Sequence, residues 1–162
     1  MFNFQNLVVK FLASLAIVLV NLSWILPAYG ITQELQINSD NGYRVKTIFS
    51  YDETNSSSAI AEQGKGTTKA VEYLKVSFYD PSGSMVASYD NIVNGIAQGT
   101  YFNFHYDLIR QKLIGEIDLG GESAGEIYLK GNIDQGLSLI KIESSGKEDI
   151  VTSGKWQVAN DK

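Results

Sequence analysis

Residues 41–51, NGYRVKTIFSY, decide the fold class. Aromatic, apolar or β-branched side chains recur there at every second position: Tyr43, Val45, Thr47, Phe49 and Tyr51. Most positions between them are polar, which is typical of a strand with one buried and one exposed face. The preceding Asn41-Gly42 favours a two-residue type I′ hairpin turn, in which both residues take positive φ. The stretch therefore predicts a hairpin with a half-buried second strand.

The same period of two recurs over residues 74–79, 113–119 and 152–158, and turn-forming segments such as Asp80-Pro81-Ser82-Gly83 separate the runs. After the first thirty residues, no window of a dozen has a helical period. We therefore expect a single all-β domain over residues 31–162, an antiparallel two-sheet sandwich of about eight or nine strands. An up-and-down β-barrel is the alternative, since the length suits either architecture.

The inward positions of these runs predict the core. It should include Val45, Phe49, Leu74, Val76, Phe78, Phe102, Phe104, Leu113, Ile117, Leu129 and Trp156. Residues 137–142, LSLIKI, place apolar side chains on both faces, which indicates either a central strand or a strand with a bulge. The polar, serine-rich residues 52–68 are too long for an ordinary hairpin loop and predict a mobile surface loop.

Residues 1–30, MFNFQNLVVKFLASLAIVLVNLSWILPAYG, have the features of an export signal peptide. They contain no acidic residue, a single Lys at Lys10 and an apolar run over residues 11–20. The small residues Ala28 and Gly30 predict cleavage after Gly30. The alternative is an uncleaved membrane anchor, because residues 11–26 are long for a core helix, although they are short for a full span. We expect the protein to be exported, to the periplasm or the cell exterior.

Composition narrows the range of partners. The formal net charge is −5 and cysteine is absent, so disulfides and thiolate metal sites are excluded. Nucleic acid is an unfavourable partner, because affinity for phosphate needs clustered Lys and Arg, and no such cluster occurs. Once the signal is cleaved, we expect no attachment to a membrane.

Gly121-Glu122-Ser123-Ala124-Gly125 matches G-x-S-x-G, the nucleophile elbow of serine hydrolases. The elbow needs a helix after the Ser and a His later in the chain. Residues 126–130 instead have strand period, and the sole His, His105, precedes the motif. We interpret the match as chance and Ser123 as a hairpin-loop residue, and we assign no catalytic residue.

Ligand-binding candidates come from the polar faces of the predicted strands. They are Tyr79, Tyr101, Asn103, His105 and Tyr128. Outward Tyr rings stack on sugars, which makes carbohydrate binding one possibility. His105 with a carboxylate of Glu116 or Asp118 would be the basis of a hydrolase-like alternative.

No cofactor is expected from the sequence. Calcium is the metal that an acidic, cysteine-free exported protein would most plausibly bind, since its ligands are hard oxygens. Residues 38–42, NSDNG, contain alternate oxygen donors but lack the distal bidentate Glu of a calcium loop.

Two segments carry a resemblance. LPAYG at residues 26–30 and YFNFHYDLIRQKLIGEIDLGGESAGEIYLKG at residues 101–131, with paired aromatics and a Gly-rich second hairpin, resemble small uncharacterised exported β-proteins of cyanobacteria. The resemblance implies export and a β-sheet fold and adds no site.

Three classes of function remain open. A non-enzymatic binding or surface-interaction protein fits best, because each catalytic pattern fails a geometric or size condition. A carrier of a small hydrophobic ligand would need the barrel and its cavity. The third class is the His105 enzyme.

The signal assignment makes the first testable prediction. The protein recovered from its own export route should have the mass of a chain that begins at Ile31, since signal peptidases cut after small-x-small segments. A native mass spectrum recorded without refolding measures this directly. Recovery of the full 162-residue mass would contradict cleavage and would favour the anchor.

Overall fold

A computed structural model describes residues 30–53 and 58–159. Apart from Gly30, the predicted signal peptide lies outside the described residues. Within them, β1 begins at Ile31, the first residue of the predicted mature chain. The strands are β1 (Ile31–Ser39), β2 (Arg44–Tyr51), β3 (Ala59–Gln63), β4 (Gly66–Thr67), β5 (Val71–Tyr79), β6 (Met85–Val93), β7 (Ile96–Ala97), β8 (Asn103–Asp107), β9 (Lys112–Leu113), β10 (Glu116–Gly120), β11 (Ile127–Asn132), β12 (Gly136–Ile142), β13 (Glu148–Gly154) and β14 (Trp156–Ala159).

These strands form two antiparallel sheets. The first sheet has the order β14-β1-β2-β5-β6-β7-β4, and the second has the order β13-β12-β11-β10-β8-β3, with β9 paired to β8. The all-β class and the two-sheet sandwich are confirmed, although the strands outnumber the predicted eight or nine. The barrel alternative is wrong, because neither sheet closes on itself. The chain passes to the second sheet after β2 and again after β7, so its strands do not follow the single meander that a barrel needs.

The hairpin of β1 and β2 forms as the sequence predicts, but its turn differs. Gly42 donates to the carbonyl oxygen of Ser39 at 3.1 Å, and Ser39 N–H donates to the carbonyl oxygen of Tyr43 at 2.9 Å. Gly42 has φ 90°, whereas Asn41 is not among the described residues with positive φ. The turn is therefore not type I′, and a single left-handed residue, the glycine, returns the chain to the ladder.

The core lies between the sheets, and every residue that the alternation placed there is buried. The Phe49 ring of the first sheet lies 5.0 Å from the Phe104 ring and 4.9 Å from the Tyr106 ring of the second, both edge to face. Rings at these distances prefer this geometry to face-to-face stacking. The aromatic pairs therefore link the two sheets through the middle of the sandwich.

The prediction of one surface loop over residues 52–68 is wrong for the part that forms β3 and β4. Ile60 is buried in the core, while Glu62, which reads as a solvent-facing residue, is only 4% exposed. Its carboxylate accepts the backbone N–H groups of Lys69 (2.9 Å) and Ala70 (2.8 Å). β3 is therefore an edge strand of the second sheet that fixes the start of β5 in the first, and β4 is an edge strand of the first sheet.

LSLIKI forms β12, which has a partner on each side, β11 and β13. The pairing shifts between Leu139 and Ile140, because these consecutive residues face Thr152 and Ile150. The extra residue, Val151, therefore belongs to β13, so the neighbour of β12 carries the irregularity.

Polar side chains join the two sheets by hydrogen bonds that cross from one sheet to the other. Asn91 of β6 donates to the carbonyl oxygen of Gly120 in β10 at 2.7 Å and accepts its N–H at 3.0 Å. The Tyr89 hydroxyl accepts the N–H of Ile127 at 3.0 Å. On the other side, the Trp156 indole donates to the carbonyl oxygen of Leu137 at 3.1 Å. These bonds fix the position of one sheet relative to the other.

The two hydrogen bonds between the Asn91 side chain and the backbone of Gly120 predict a large loss of stability when that side chain is truncated. Asn91→Ala leaves the N–H and the carbonyl of Gly120 without this partner, and each unpaired buried group costs about 1–3 kcal/mol. We expect the free energy of unfolding in urea to fall by about 2 kcal/mol or more. Asn132→Ala is the control, because the Asn132 side chain makes only exposed hydrogen bonds. Equal losses of unfolding free energy in the two variants would contradict the role of the Asn91–Gly120 hydrogen bonds in joining the sheets.

Candidate functional site

The outer face of the second sheet carries a cleft of about 170 Å³. Its lining combines two tyrosines, three carboxylates and one lysine with an apolar edge. The lining residues are Tyr101, Asp118, Gly121, Glu122, Tyr128, Lys130, Ile142 and Glu148. Such a mixture of apolar surface with a few polar groups is typical of a small-molecule binding site, although the volume is below the range for drug-sized ligands.

The β10–β11 hairpin sets the floor of the cleft. Its register places Asp118 opposite Lys130 and Gly120 opposite Tyr128. Gly120 has φ +135°, and a Cβ there would lie 2.5 Å from the carbonyl oxygen of Ile127 and 2.7 Å from the Cα of Tyr128. Glycine is therefore required at this position for the two strands to approach each other beside the cleft.

Asp118 is a cleft residue whose carboxyl group has a raised pKa. Burial raises its pKa to about 6, and the nearby Lys130 ammonium, 3.6 Å away, only partly opposes the shift. Lys130 is 57% exposed, so water screens its charge. Across the strand pair, Asn103 faces Asp118, and its Oδ1 is buried without a hydrogen-bond partner. The Asp118 carboxylate and Asn103 Oδ1 are therefore two acceptors on paired residues with few hydrogen-bond donors around them.

Tyr128 and Glu148 form one wall of the cleft. Tyr128 is only 6% exposed, although it lies on the outer face of the sheet. Burial raises the pKa of its phenol, and the hydrogen bond to Glu148 raises it further. Glu148 is on β13, opposite Ile142 of β12. The wall is thus assembled from three strands, and the phenol stays protonated as a donor to Glu148.

Tyr101 lies at the mouth of the cleft and is 70% exposed. Its backbone N–H donates to Glu122 Oε1 at 2.7 Å, and that of Thr100 donates to Oε2 at 2.9 Å. The carboxylate of Glu122 passes so close to Gly99 that a Cβ on Gly99 would collide with it. Glu122 therefore fixes the backbone that carries Tyr101.

The GESAG motif forms the loop of the β10–β11 hairpin, which confirms the interpretation of Ser123 as a hairpin-loop residue. The carboxylate of Glu126 accepts the N–H groups of Glu122 at 2.8 Å and of Ser123 at 2.7 Å. A Cβ on Gly121 would lie 2.5 Å from Glu126 Oε2. The glycine thus makes room for the carboxylate that orders the loop, and strand β11 follows where an elbow needs a helix.

The five predicted ligand-binding residues do not all meet. Tyr101 and Tyr128 line the cleft, and Asn103 is the cross-strand neighbour of Asp118. His105 lies on the same face, but its Nδ1 is 3.1 Å from the carbonyl oxygen of Glu116 rather than from a carboxylate. Tyr79 is on β5 of the first sheet, where the guanidinium of Arg44 lies 5.5 Å from its ring centroid.

Sequence reasoning missed most of the charged lining of the cleft. Lys130 and Glu148 are ordinary polar residues in the sequence, and Asp118 was considered only as a partner of His105. The alternation placed Asp118 on the outer face, between the buried Ile117 and Leu119. The register between β10 and β11, which brings Lys130 to it, is not encoded in any local signal.

In residues 30–53 and 58–159, no group of three or more His, Cys, Asp or Glu is placed to hold a metal ion. In the NSDNG segment the Ser39 hydroxyl donates to Asn41 Oδ1 at 2.6 Å, and the Asn41 amide donates to Thr152 at 2.9 Å. Nor does the described part of the chain contain a helix with the length and apolarity to cross a bilayer.

Comparison of the chain with models of protein families, with curated proteins and with solved structures finds no match. The function therefore has to be inferred from the geometry and chemistry of the cleft.

Asp118 predicts an unusual pH dependence of stability. Its pKa is raised from 3.8 to about 6 in the folded state, so the folded chain binds the proton more tightly than the unfolded chain between these values. Ionisation of Asp118 therefore lowers the free energy of unfolding as the pH rises from about 4 to 6. The free energy of unfolding then stays lower above pH 6. Asp118→Asn should raise Tm by about 2–4 °C at pH 7.5 and leave it unchanged near pH 3.5.

Glu34→Gln is the matched control, because Glu34 forms an exposed ion pair with Lys46 on the first sheet. This variant should not raise Tm above that of the wild type at pH 7.5. Thermal melts from pH 3.5 to 8 measure both variants. An Asp118→Asn protein that is less stable than the wild type at pH 7.5 would contradict the burial of an ionised carboxylate.

Proposed function

We propose that the protein is an exported, non-enzymatic binding module whose ligand is a neutral, hydroxyl-rich glycan held in the cleft of the second sheet. The observation that carries this proposal is the exposed ring of Tyr101 at the mouth of a cleft lined by hydrogen-bonding groups. A sugar has an apolar face of C–H groups and a rim of hydroxyls. An aromatic ring stacks on the C–H face, and carboxylates and an ammonium form hydrogen bonds with the hydroxyls.

The charge of the lining favours a neutral ligand. Three carboxylates, Asp118, Glu122 and Glu148, line the cleft with one cation, Lys130. Burying an anion among them would be opposed by like charges, whereas hydroxyl groups donate to carboxylates. A carboxylate has about four lone-pair sites, so the bonds that Glu122 makes to the backbone leave it able to accept others.

A carrier of a hydrophobic ligand fits less well. Its cargo would have to enter between the sheets, where the largest fully buried side chains are Tyr106, Phe49, Phe78, Phe102 and Phe104. These side chains occupy the space in which a barrel-type carrier holds its ligand. The outer cleft is polar and is better suited to a hydroxyl-rich molecule.

Glycan hydrolysis is the second candidate function, because a carboxyl with a pKa near 6 is suited to act as a general acid. Binding is favoured over hydrolysis, since a glycosidase needs a second carboxylate for the nucleophile or the water. Glu148 is hydrogen-bonded to the Tyr128 phenol, and Glu122 holds the backbone of Tyr101. The hydrolase reading with His105 is weaker still, because His105 does not line the cleft.

The proposal is tested by titrating the mature protein with methyl glycosides of glucose, galactose, mannose and N-acetylglucosamine and with their oligomers, followed by NMR and calorimetry. Tyr101→Ala should weaken binding about tenfold through loss of stacking. Tyr79→Ala is the control on the first sheet and should bind as the wild type does. Absence of binding to the whole panel, or an equal loss in both variants, would overturn the proposal. Release of shortened sugars over hours would establish the hydrolase instead.

A further inference from the structure

A second depression adjoins the cleft. This groove has a volume of about 410 Å³ and lies between β6 and the loop of the β10–β11 hairpin. Its lining consists of residues with polar side chains and glycines: Ser88, Tyr89, Asp90, Asn91, Gln98, Gly99, Gly120, Gly121, Glu122, Ser123 and Glu126. Gly121 and Glu122 line both the groove and the cleft. The two depressions are therefore neighbours that share one wall.

The shared wall is low and fixed in shape. Gly121 contributes no side chain, and a Cβ there would lie 2.6 Å from the Cβ of Glu126, so a larger residue does not fit. The carboxylate of Glu122 is held by the N–H groups of Thr100 and Tyr101. The wall thus consists of backbone and one anchored side chain.

The groove repeats the chemistry of the cleft. Among its described lining residues there are three carboxylates, Asp90, Glu122 and Glu126, and no Lys or Arg. Gln98 adds an exposed amide, which donates to the carbonyl oxygen of Ile96 at 2.8 Å. The Ser88 hydroxyl contacts that of Ser77 at 2.9 Å. This lining offers acceptors to hydroxyl donors and, like the cleft, disfavours an anion.

We infer that the ligand is a linear oligosaccharide of neutral sugars, with one unit in the cleft and at least one more in the groove across the Gly121–Glu122 wall. This inference rests on the proposed function, because the cleft supplies the first unit. The volume of about 170 Å³ is too small for a longer ligand, and the adjoining groove has the matching chemistry. Affinity should therefore rise with chain length.

The experiment blocks the groove and leaves the cleft intact. Ser123 is exposed and lines only the groove, whereas its neighbour Ala124 is exposed and lines neither depression. Ser123→Trp places a bulky ring in the groove, and Ala124→Trp is the matched control in the same loop. Calorimetry compares the methyl glycoside that binds with its di-, tri- and tetrasaccharide, after thermal melts show that both variants are folded.

In the wild type and in Ala124→Trp, we expect affinity to rise at least tenfold from the monosaccharide to the tetrasaccharide. In Ser123→Trp this gain should disappear, while monosaccharide binding stays within about twofold of the wild type. Wild-type affinity that does not change with length would overturn the inference and leave the proposed function standing. Equal loss of the gain in both variants would also overturn it. No binding at any length would overturn the proposed function itself.

Discussion

Backbone amides that leave a β-ladder must find other acceptors, and in this protein carboxylates supply many of them. A two-sheet sandwich in one chain has to pass from sheet to sheet, and the crossing segments lose their ladder partners. Glu62 of the second sheet accepts the N–H groups of Lys69 and Ala70, which lie in the link between β4 and β5 of the first sheet. Glu122 does the same for residues 100 and 101 on the way into β8. The acidic composition of the chain is therefore partly structural.

The same interaction prepares the candidate site. Glu126 orders the loop that carries Glu122, and Glu122 in turn fixes the backbone of Tyr101. Asn91 holds Gly120 from the opposite sheet, so the loop end of the hairpin beneath the cleft is tied to the first sheet. A site whose backbone is fixed before the ligand arrives loses less entropy on binding.

Hydrogen-bond donors separate these carboxyl groups into two sets with opposite pKa shifts. Hydrogen bonds from the backbone and side chain of Arg110 lower the pKa of Asp107, and those of Ser82 lower the pKa of Asp80. These two groups stabilise the fold at neutral pH, and their contribution declines as acid protonates them. Asp118 has a raised pKa because burial exceeds the effect of Lys130. The direction of each pKa shift thus follows the supply of hydrogen-bond donors around the carboxyl group.

The sequence by itself determined the sheet fold and the inner face of each strand, because a period of two is a local property that the pleat imposes on any strand. Phe49 and Phe104 are buried where the alternation placed them, and the strand period after Gly125 already indicated that GESAG is a hairpin loop. Tertiary structure alone decided that Glu62 lies inside, since only the amides of residues 69–71 make that position favourable. It alone placed Tyr79 and Tyr128 on different sheets, and it brought Asp118, Lys130 and Glu148 together. Local patterns specify which face of a strand a side chain occupies, whereas a site built from four strands depends on pairing and register between residues far apart in the chain.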